Sequence, residues 1–254
     1  MASKFLRTKD IAREIGVHVN TIRLYESSGF LPPIPRGENG YRQYDSTHLE
    51  QARLAHLTIH WPYLGDKTLL IRLVKSAATD DLGMAMELAY RYLADVRVER
   101  TYAESAIEFL ERWAAGHVMD TAPQTMHIRE AAAHLAVSVD MLRNWERSGL
   151  IIIPRDPSNQ YRRYGSAEFG RLRVIHTLVQ SGFSLMAILK MLKQFDTGST
   201  DNLRNALNLP LGESLNEAID IIADRRLDSL IQLEQRAQAI IRQIGLLIDM
   251  RYAP

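Results

Sequence analysis

Two short segments carry the residues best suited to binding an anion. Residues 39–44 read NGYRQY, and residues 159–164, 120 positions later, read NQYRRY. Each segment places an arginine between aromatic residues behind an asparagine, a composition that favours a tight turn with an extended arm. A guanidinium binds phosphate or a guanine edge, and a phenol hydroxyl binds phosphate oxygen. The repeated pattern is therefore suited to contact phosphate.

Patterns for other chemistries are absent or weak. The chain has no cysteine, which excludes disulfides, thiolate zinc sites and thiol-based sensing within it. It has no GxxxxGK[ST], HExxH or GxSxG pattern, so enzyme activity is not expected. His56 and His60 have the spacing of a helical zinc pair, but no third ligand is evident, and a solvated helix surface is the alternative. We expect neither a metal site nor a cofactor.

Length and charge indicate a modular chain. The 254 residues are more typical of two small domains than of one. The net charge is +4 over residues 1–75, −5 over 76–121, +5 over 122–195 and −3 over 196–254. Two basic modules between acidic segments suit two contacts with phosphate, although chance segregation of surface charge gives the same pattern. No membrane span or signal peptide is evident, so we expect a cytoplasmic protein.

The two basic blocks are copies of one another. At the same offset of 120, KDIAREIGVHVNTIRLYESSGFL aligns with REAAAHLAVSVDMLRNWERSGLI, and Arg23 falls on Arg143. The register holds across both of these segments. Chance similarity does not keep register through helices and turns alike, so the alignment indicates a tandem duplication.

Each copy predicts short helices and a hairpin. In the first copy, Thr8 can cap a helix that Gly16 ends, and a second helix follows at once. Two helices joined by so short a turn predict a helix-turn-helix, whose second helix enters the major groove. The stretch LPPIPRGENGYRQY then predicts a hairpin, or wing. Two further helices, from about Ser46 and Lys67, complete the copy.

These motifs resemble the DNA-binding domain of the MerR family of bacterial transcription regulators. The family pattern is GVS-x-x-TLR-[YW]-[YW]-E-x-x-GL, then a proline-arginine loop, GYRxY and later LGFSLxEI. The resemblance covers about residues 5–75 and 125–195. The copies depart from it at different places: His18 stands where Ser138 retains a capping serine, and Gln160 replaces the wing glycine.

The resemblance implies a mainly α fold in four segments. Winged helix-turn-helix domains are expected at residues 1–75 and 122–195. A long helix is expected in residues 76–121, and a linker with a second long helix in residues 196–254.

In the family, the second helix of the domain enters the major groove and the wing reaches the flanking backbone. Carried over residue by residue, the resemblance implies these DNA contacts: Asn20, Thr21, Arg23, Tyr25, Tyr41 and Arg42 in the first copy, and Asp140, Arg143, Asn144, Trp145, Tyr161 and Arg162 in the second. An ion pair with the adjacent helix is the alternative for Arg23 and Arg143. A core position is the alternative for Tyr25 and Trp145.

Two positions in the second helices differ between the copies. Asp140 either accepts a hydrogen bond from a cytosine amine or favours the helix N-terminus. Leu24 and Asn144 occupy a position where many family members have tyrosine, so the copies are expected to read different bases there. An imperfect inverted repeat is the expected target.

Both acidic segments predict a long helix with an apolar seam. Alternating steps of three and four run from Ala89 to Ala114 and again from Leu227 to Ile248, which is the heptad spacing of a coiled coil. Family members are typically homodimers that pair through such a helix in antiparallel fashion. Because this chain holds both halves, we expect a monomeric pseudo-dimer in which the seam charges Arg100 and Glu234 meet, or in which both snorkel to water.

The expected function is that of a sequence-specific, DNA-binding transcription regulator. It would act on an imperfect inverted-repeat promoter site by distorting double-stranded DNA, with RNA polymerase as a further partner and no membrane. The alternatives are an architectural DNA-bending protein and an interaction scaffold in which one domain no longer binds DNA.

Overall fold

A computed structural model describes residues 5–61, 63–65, 67–116, 125–198, 203–207 and 226–252. The described residues are mainly helical, as predicted. Contacts divide the chain into two units, one formed by Met1–Arg97 with Ile231–Pro254 and one formed by Val98–Leu230. No helix in the described part of the chain has both the length and the apolar character needed to cross a membrane.

The helices follow the order of the duplicated sequence. The first copy contains α1 (Thr8–Ile15), α2 (Val19–Ser27), α3 (Ser46–Ile59) and α4 (Lys67–Ala78), followed by the long helix α5 (Leu82–Ala114). The second copy contains α6 (Ile128–His134), α7 (Val139–Arg147), α8 (Ser166–Gln180) and α9 (Leu185–Asp196). A short helix α10 (Leu203–Ala206), which the sequence did not predict, and the long helix α11 (Arg226–Tyr252) follow.

The second helix of each copy has a side-chain cap. His18 Nδ1 accepts a hydrogen bond from the backbone N–H of Asn20 at 3.2 Å. Ser138 Oγ accepts one from the N–H of Met141 at 3.1 Å. The first N–H groups of a helix have no intrahelical partner, so either acceptor stabilises the start of the helix. The histidine thus takes over the capping role of the serine that the family pattern has there.

Two glycines of the first copy are replaced in the second at positions with positive φ. Gly16 ends α1 with φ 76°, and Ala136, at the same offset of 120, has φ 55°. Gly40 in the hairpin turn has φ 75°, and Gln160 has φ 61°. For a residue with a Cβ, this left-handed backbone conformation costs roughly 1 kcal/mol or more of conformational free energy. The second copy therefore retains the backbone of the first at a conformational cost.

A hairpin held by isolated antiparallel bridges follows each second helix. In the first copy the bridge joins Arg36 to Arg42, and in the second it joins Arg155 to Arg162. The arginines before the turn are thus related by an offset of 119, whereas those after it are related by 120. The turn of the second copy has one more residue and the loop before it one fewer. The extra residue in the turn and the missing residue in the loop cancel, so the offset of 120 is the same before the loop and after the turn but does not hold between them.

The core of the first unit includes residues from both ends of the chain. Buried residues of α1 to α4 pack with the start of α5 and with three residues of α11, which are Ile240, Ile244 and Leu247. Gln243 Nε2 adds hydrogen bonds to the backbone oxygen of Glu50 at 3.1 Å and to its Oε2 at 2.8 Å. The helix after the second copy therefore completes the core of the first.

The charged residues of the two seams have identified partners. Glu234 Oε1 accepts a hydrogen bond from Arg97 Nε at 2.8 Å, and Arg100 Nε donates to Glu104 Oε1 at 2.9 Å. Arg97 lies one turn before Arg100, the residue expected to meet Glu234. Within the first unit, Glu234 thus pairs with a residue that the sequence did not single out, and the meeting of Arg100 with Glu234 stays a prediction.

The first residue of α11 is anchored in the second unit. Arg226 is buried; its Nη2 donates to Glu99 Oε2 at 2.6 Å, and its Nε donates to the Ser181 carbonyl at 3.3 Å. Its guanidinium lies so close to Gly182 that a Cβ there would be 2.9 Å from it. A buried guanidinium needs such partners to offset desolvation.

Candidate nucleic-acid interface

The second helix of each copy has one buried face and one exposed face. In α2, Ile22 and Tyr25 are buried, while Asn20, Arg23 and Leu24 are exposed and Thr21 is partly buried. In α7, Leu142 and Trp145 are buried, while Asp140, Arg143 and Asn144 are exposed. The helical period of 3.6 residues produces this division. Most of the predicted contact residues of these helices thus share an outward face.

The rings of Tyr25 and Trp145 lie in the cores of their units. Their residues are 3% and 2% exposed, respectively. The Tyr25 hydroxyl lies 3.4 Å from His56 Nδ1, and burial raises the pKa of this phenol. The Trp145 ring lies 6.3 Å, centroid to centroid, from that of His176. Burial favours the core role that was the alternative for these two positions.

The outward arginines of the two helices differ in their surroundings. Arg143 Nη1 donates to Asp140 Oδ1 at 3.1 Å within α7. In α2 the position of the aspartate is taken by Asn20, and among the described residues Arg23 makes no ion pair. Neither arginine pairs with an adjacent helix in the described residues, which was the alternative role for both. Arg23 and Arg143 both remain exposed.

The tip of each hairpin presents an exposed tyrosine beside the start of the copy. Tyr41 and Tyr161 are each 65% exposed. The guanidinium of Arg7 lies over the Tyr41 ring at 5.9 Å, and the His127 ring lies 6.3 Å from that of Tyr161. The hairpin tip therefore lies close to the residue that precedes the first helix of its copy.

An ion pair joins the hairpin to the second helix in both copies. Arg42 Nε donates to Glu26 Oε2 at 2.7 Å, and Arg162 Nε donates to Glu146 Oε2 at 2.7 Å. The paired side chains are between 20% and 29% exposed. We call these two pairs the hairpin ion pairs. The glutamates were not among the predicted site residues, although their repetition alongside a repeated arginine was a signal that could have found them.

A basic cavity of about 710 Å³ lies in the second unit. Four arginines line it: Arg129, Arg143, Arg155 and Arg162. Tyr161 lines it as well, so three of the predicted contact residues face one cavity. Arg129 and Arg155 were missed in the sequence, although their counterparts in the first copy, Lys9 and Arg36, are also basic. Such a cavity can hold an anionic strand by charge and by hydrogen bonds.

The described residues hold no group of three or more histidine, aspartate or glutamate side chains placed to bind a metal ion. His56 and His60 stack with ring centroids 4.7 Å apart. Burial and the neighbouring His60 lower the pKa of His56.

In each copy, two short helices joined by a tight turn precede a hairpin, which is the arrangement of the helix-turn-helix class. Residues 7–44 match the family described as MerR family regulatory protein, and residues 126–194 match the family described as MerR HTH family regulatory protein. The chain thus carries, in tandem, two domains that match the MerR family of regulatory proteins.

Curated relatives are similar to part of the chain. A mercuric resistance operon regulatory protein of Pseudomonas fluorescens is 32% identical over 78 residues, which are 31% of this chain and 54% of the relative. The HTH-type transcriptional regulator CueR of Salmonella typhi is 39% identical over 49 residues, 19% of this chain and 36% of the relative. The chain thus spans about half the length or less of these relatives. No solved structure matches it significantly.

Proposed function

We propose that the chain is a DNA-binding transcription regulator in which both copies contact one double-stranded site. The observation that carries the proposal is the repeated geometry of the contact face. Each copy combines an exposed arginine on its second helix, Arg23 or Arg143, with a hairpin arginine held 2.7 Å from a glutamate of that helix. Guanidinium groups in this arrangement suit base edges in the major groove and phosphates beside it.

The two copies supply, in one chain, the pair of domains that a dimer would otherwise supply. The 2.8 Å hydrogen bond between Arg97 of α5 and Glu234 of α11 in the first unit supports this proposal, because it joins the helices that follow the two copies. We therefore propose a monomeric pseudo-dimer. Its target is an imperfect inverted repeat, because the second helices of the copies are not identical.

The proposed mode of action is distortion of promoter DNA. The relatives named as transcriptional and operon regulators support a regulatory role. Bound at two half-sites, the chain would change the geometry of the DNA between them and so the access of RNA polymerase to the promoter. Bending DNA has an energetic cost that the contacts of two domains can offset.

The test combines sequence selection with substitution of one arginine in each copy. Wild-type protein should enrich one motif with two half-sites from random duplexes. Arg23→Ala and Arg143→Ala should each weaken binding to it by about 1 to 3 kcal/mol if the arginine is bidentate to guanine. Unchanged affinity for Arg143→Ala would show that the second copy does not bind DNA.

The hairpin arginines provide a second arm of this test. Arg42→Ala and Arg162→Ala should weaken binding to all sequences similarly. Each should also reduce the slope of log binding constant against log salt concentration by about one unit, because each would remove one phosphate contact.

Sedimentation of the free protein tests the proposed monomeric pseudo-dimer. A stable dimer of two chains at sub-micromolar concentration would contradict it.

The interaction scaffold is retained as a second candidate because of one observation. Asp140 is exposed on the outward face of α7, where a carboxylate repels phosphate. A selected motif with one half-site only would favour this candidate.

A further inference from the structure

The outward faces of α2 and α7 can be compared position by position. Four exposed positions at helical spacing form each face. The first face comprises Asn20, Arg23, Leu24 and Ser27, and the second comprises Asp140, Arg143, Asn144 and Arg147. Only the second position is the same in both copies. The backbone that carries the two faces begins and ends at equivalent residues, so the chemical difference lies in the side chains.

Leu24 stands out on the first of these faces. It is 59% exposed and is flanked by the polar residues Asn20, Arg23 and Ser27, whereas the apolar residues of α2 that face inward are buried. Its equivalent, Asn144, is exposed as well. Packing in the core of the unit therefore does not determine which residue stands at either position.

The chemistry of the two side chains selects different bases. An aliphatic side chain in the major groove gains by contact with the C5 methyl group of thymine, while an amide forms two hydrogen bonds with N6 and N7 of adenine. The first position of each face, Asn20 or Asp140, adds to the difference between the two copies. Asp140 accepts a hydrogen bond from Arg143 at 3.1 Å and so orients this arginine, whereas Asn20 carries no charge to do the same for Arg23.

We infer that Leu24 and Asn144 make the two half-sites unlike, with Leu24 selecting thymine in one half-site and Asn144 selecting adenine at the equivalent base pair of the other. The inference rests on the proposed function, because it requires both copies to bind DNA. It adds to that function the base that each copy prefers and the side chain responsible.

Selection from random duplexes tests the inference with three variants of the full chain: Leu24→Asn, Asn144→Leu and the double exchange. Wild-type protein should enrich two half-sites that differ at one equivalent base pair. Leu24→Asn should give two half-sites with adenine there, Asn144→Leu two with thymine, and the double variant the wild-type motif with its half-sites exchanged. Discrimination should change by about tenfold or more at that base pair. All positions exchanged are exposed, and thermal unfolding controls for folding.

A modified base sharpens the test of Leu24. Deoxyuridine differs from thymidine only in lacking the methyl group. Replacing the selected thymidine should weaken wild-type binding about fourfold, the effect of one buried methyl group, and should leave Leu24→Asn unaffected. The same comparison with 7-deazaadenine should affect wild type and not Asn144→Leu.

Two outcomes would overturn the inference in distinguishable ways. If wild type and all variants enrich the same motif, the copies bind DNA but Leu24 and Asn144 do not select the bases. If wild type enriches no motif, the proposed function fails and the inference fails with it.

Discussion

Arg42 donates a 2.7 Å hydrogen bond from Nε to Glu26, and this bond fixes the hairpin guanidinium against the second helix of the first copy. The same bond recurs between Arg162 and Glu146 at the same distance. Nε is the inner donor of the guanidinium, so the bond constrains the side chain while the two outer nitrogens retain donors for another partner. The hairpin ion pairs therefore act as positioning contacts for a residue proposed to bind phosphate.

The hairpin ion pairs predict that removing a negative charge from the contact face weakens DNA binding. Glu26→Ala should weaken DNA binding by about 1 to 2 kcal/mol, because the released arginine must be ordered again on binding. Removing a negative charge near phosphate would by itself strengthen binding. Titration of a labelled duplex at fixed salt measures the difference.

Glu38 provides the matched control. It is exposed in the turn of the same hairpin, and its carboxylate has no partner in the described residues. Glu38→Ala should leave the affinity unchanged or raise it. A gain in affinity for both variants would mean that the ion pair does not position Arg42.

The replaced glycines predict opposite effects of two reciprocal substitutions. Ala136→Gly should stabilise the protein by about 1 kcal/mol because it relieves a positive φ of 55°. Gly16→Ala should destabilise it by a similar amount, since φ there is 76°. No heavy atom lies within 4 Å of a Cβ built on Gly16, so the effect is conformational and not steric. Urea unfolding measures both changes, and effects of the same sign would refute this explanation.

The pKa of His56 predicts a dependence of stability on pH. Burial and the neighbouring His60 lower this pKa below the ordinary 6.5. The unfolded chain then binds a proton more readily than the folded protein, so the stabilisation is complete above pH 6.5 and declines as the pH falls towards the folded pKa. His56→Gln should remove this decline, as monitored by thermal unfolding between pH 8 and 5. An equal decline in the variant would assign it to other groups.

The pair formed by Arg97 and Glu234 predicts a rescue by exchanged charges. Glu234 has a side chain that is only 12% exposed. Glu234→Arg should destabilise the protein by about 1 to 2 kcal/mol, because two guanidinium groups would then meet. Adding Arg97→Glu should restore most of the loss, as measured by urea unfolding. Two losses that simply add would show that the pair contributes no interaction energy.

The local structure could be predicted where a single residue determines it. The start of α3 at Ser46 and the end of α1 before Gly16 agree with the sequence because caps and left-handed residues act locally. The start of α4 at Lys67 agrees with it as well. The bond between Arg97 and Glu234 was not predicted, because the pairing depends on how two distant helices meet. Periodicity alone does not fix that register.

The site was only partly predictable for a related reason. The position of Arg143 on an outward face follows from helical periodicity. The burial of Trp145 and the bond between Arg162 and Glu146 depend on contacts between elements far apart in sequence. Arg155 was missed because the loop before it and the turn after it differ in length between the copies, which displaces it from the constant offset.

Because α11 contributes to the core of the first unit, this core can be completed only after the second copy has been synthesised. Ile240, Ile244 and Leu247 belong to the core that surrounds Ile11 and Ile22. A ribosome therefore releases the first copy early, but the last part of its core only after the second copy has been made. A nascent chain interrupted after the second copy carries both contact faces with one core incomplete. Truncated products of this kind expose apolar surface that chaperones and proteases recognise.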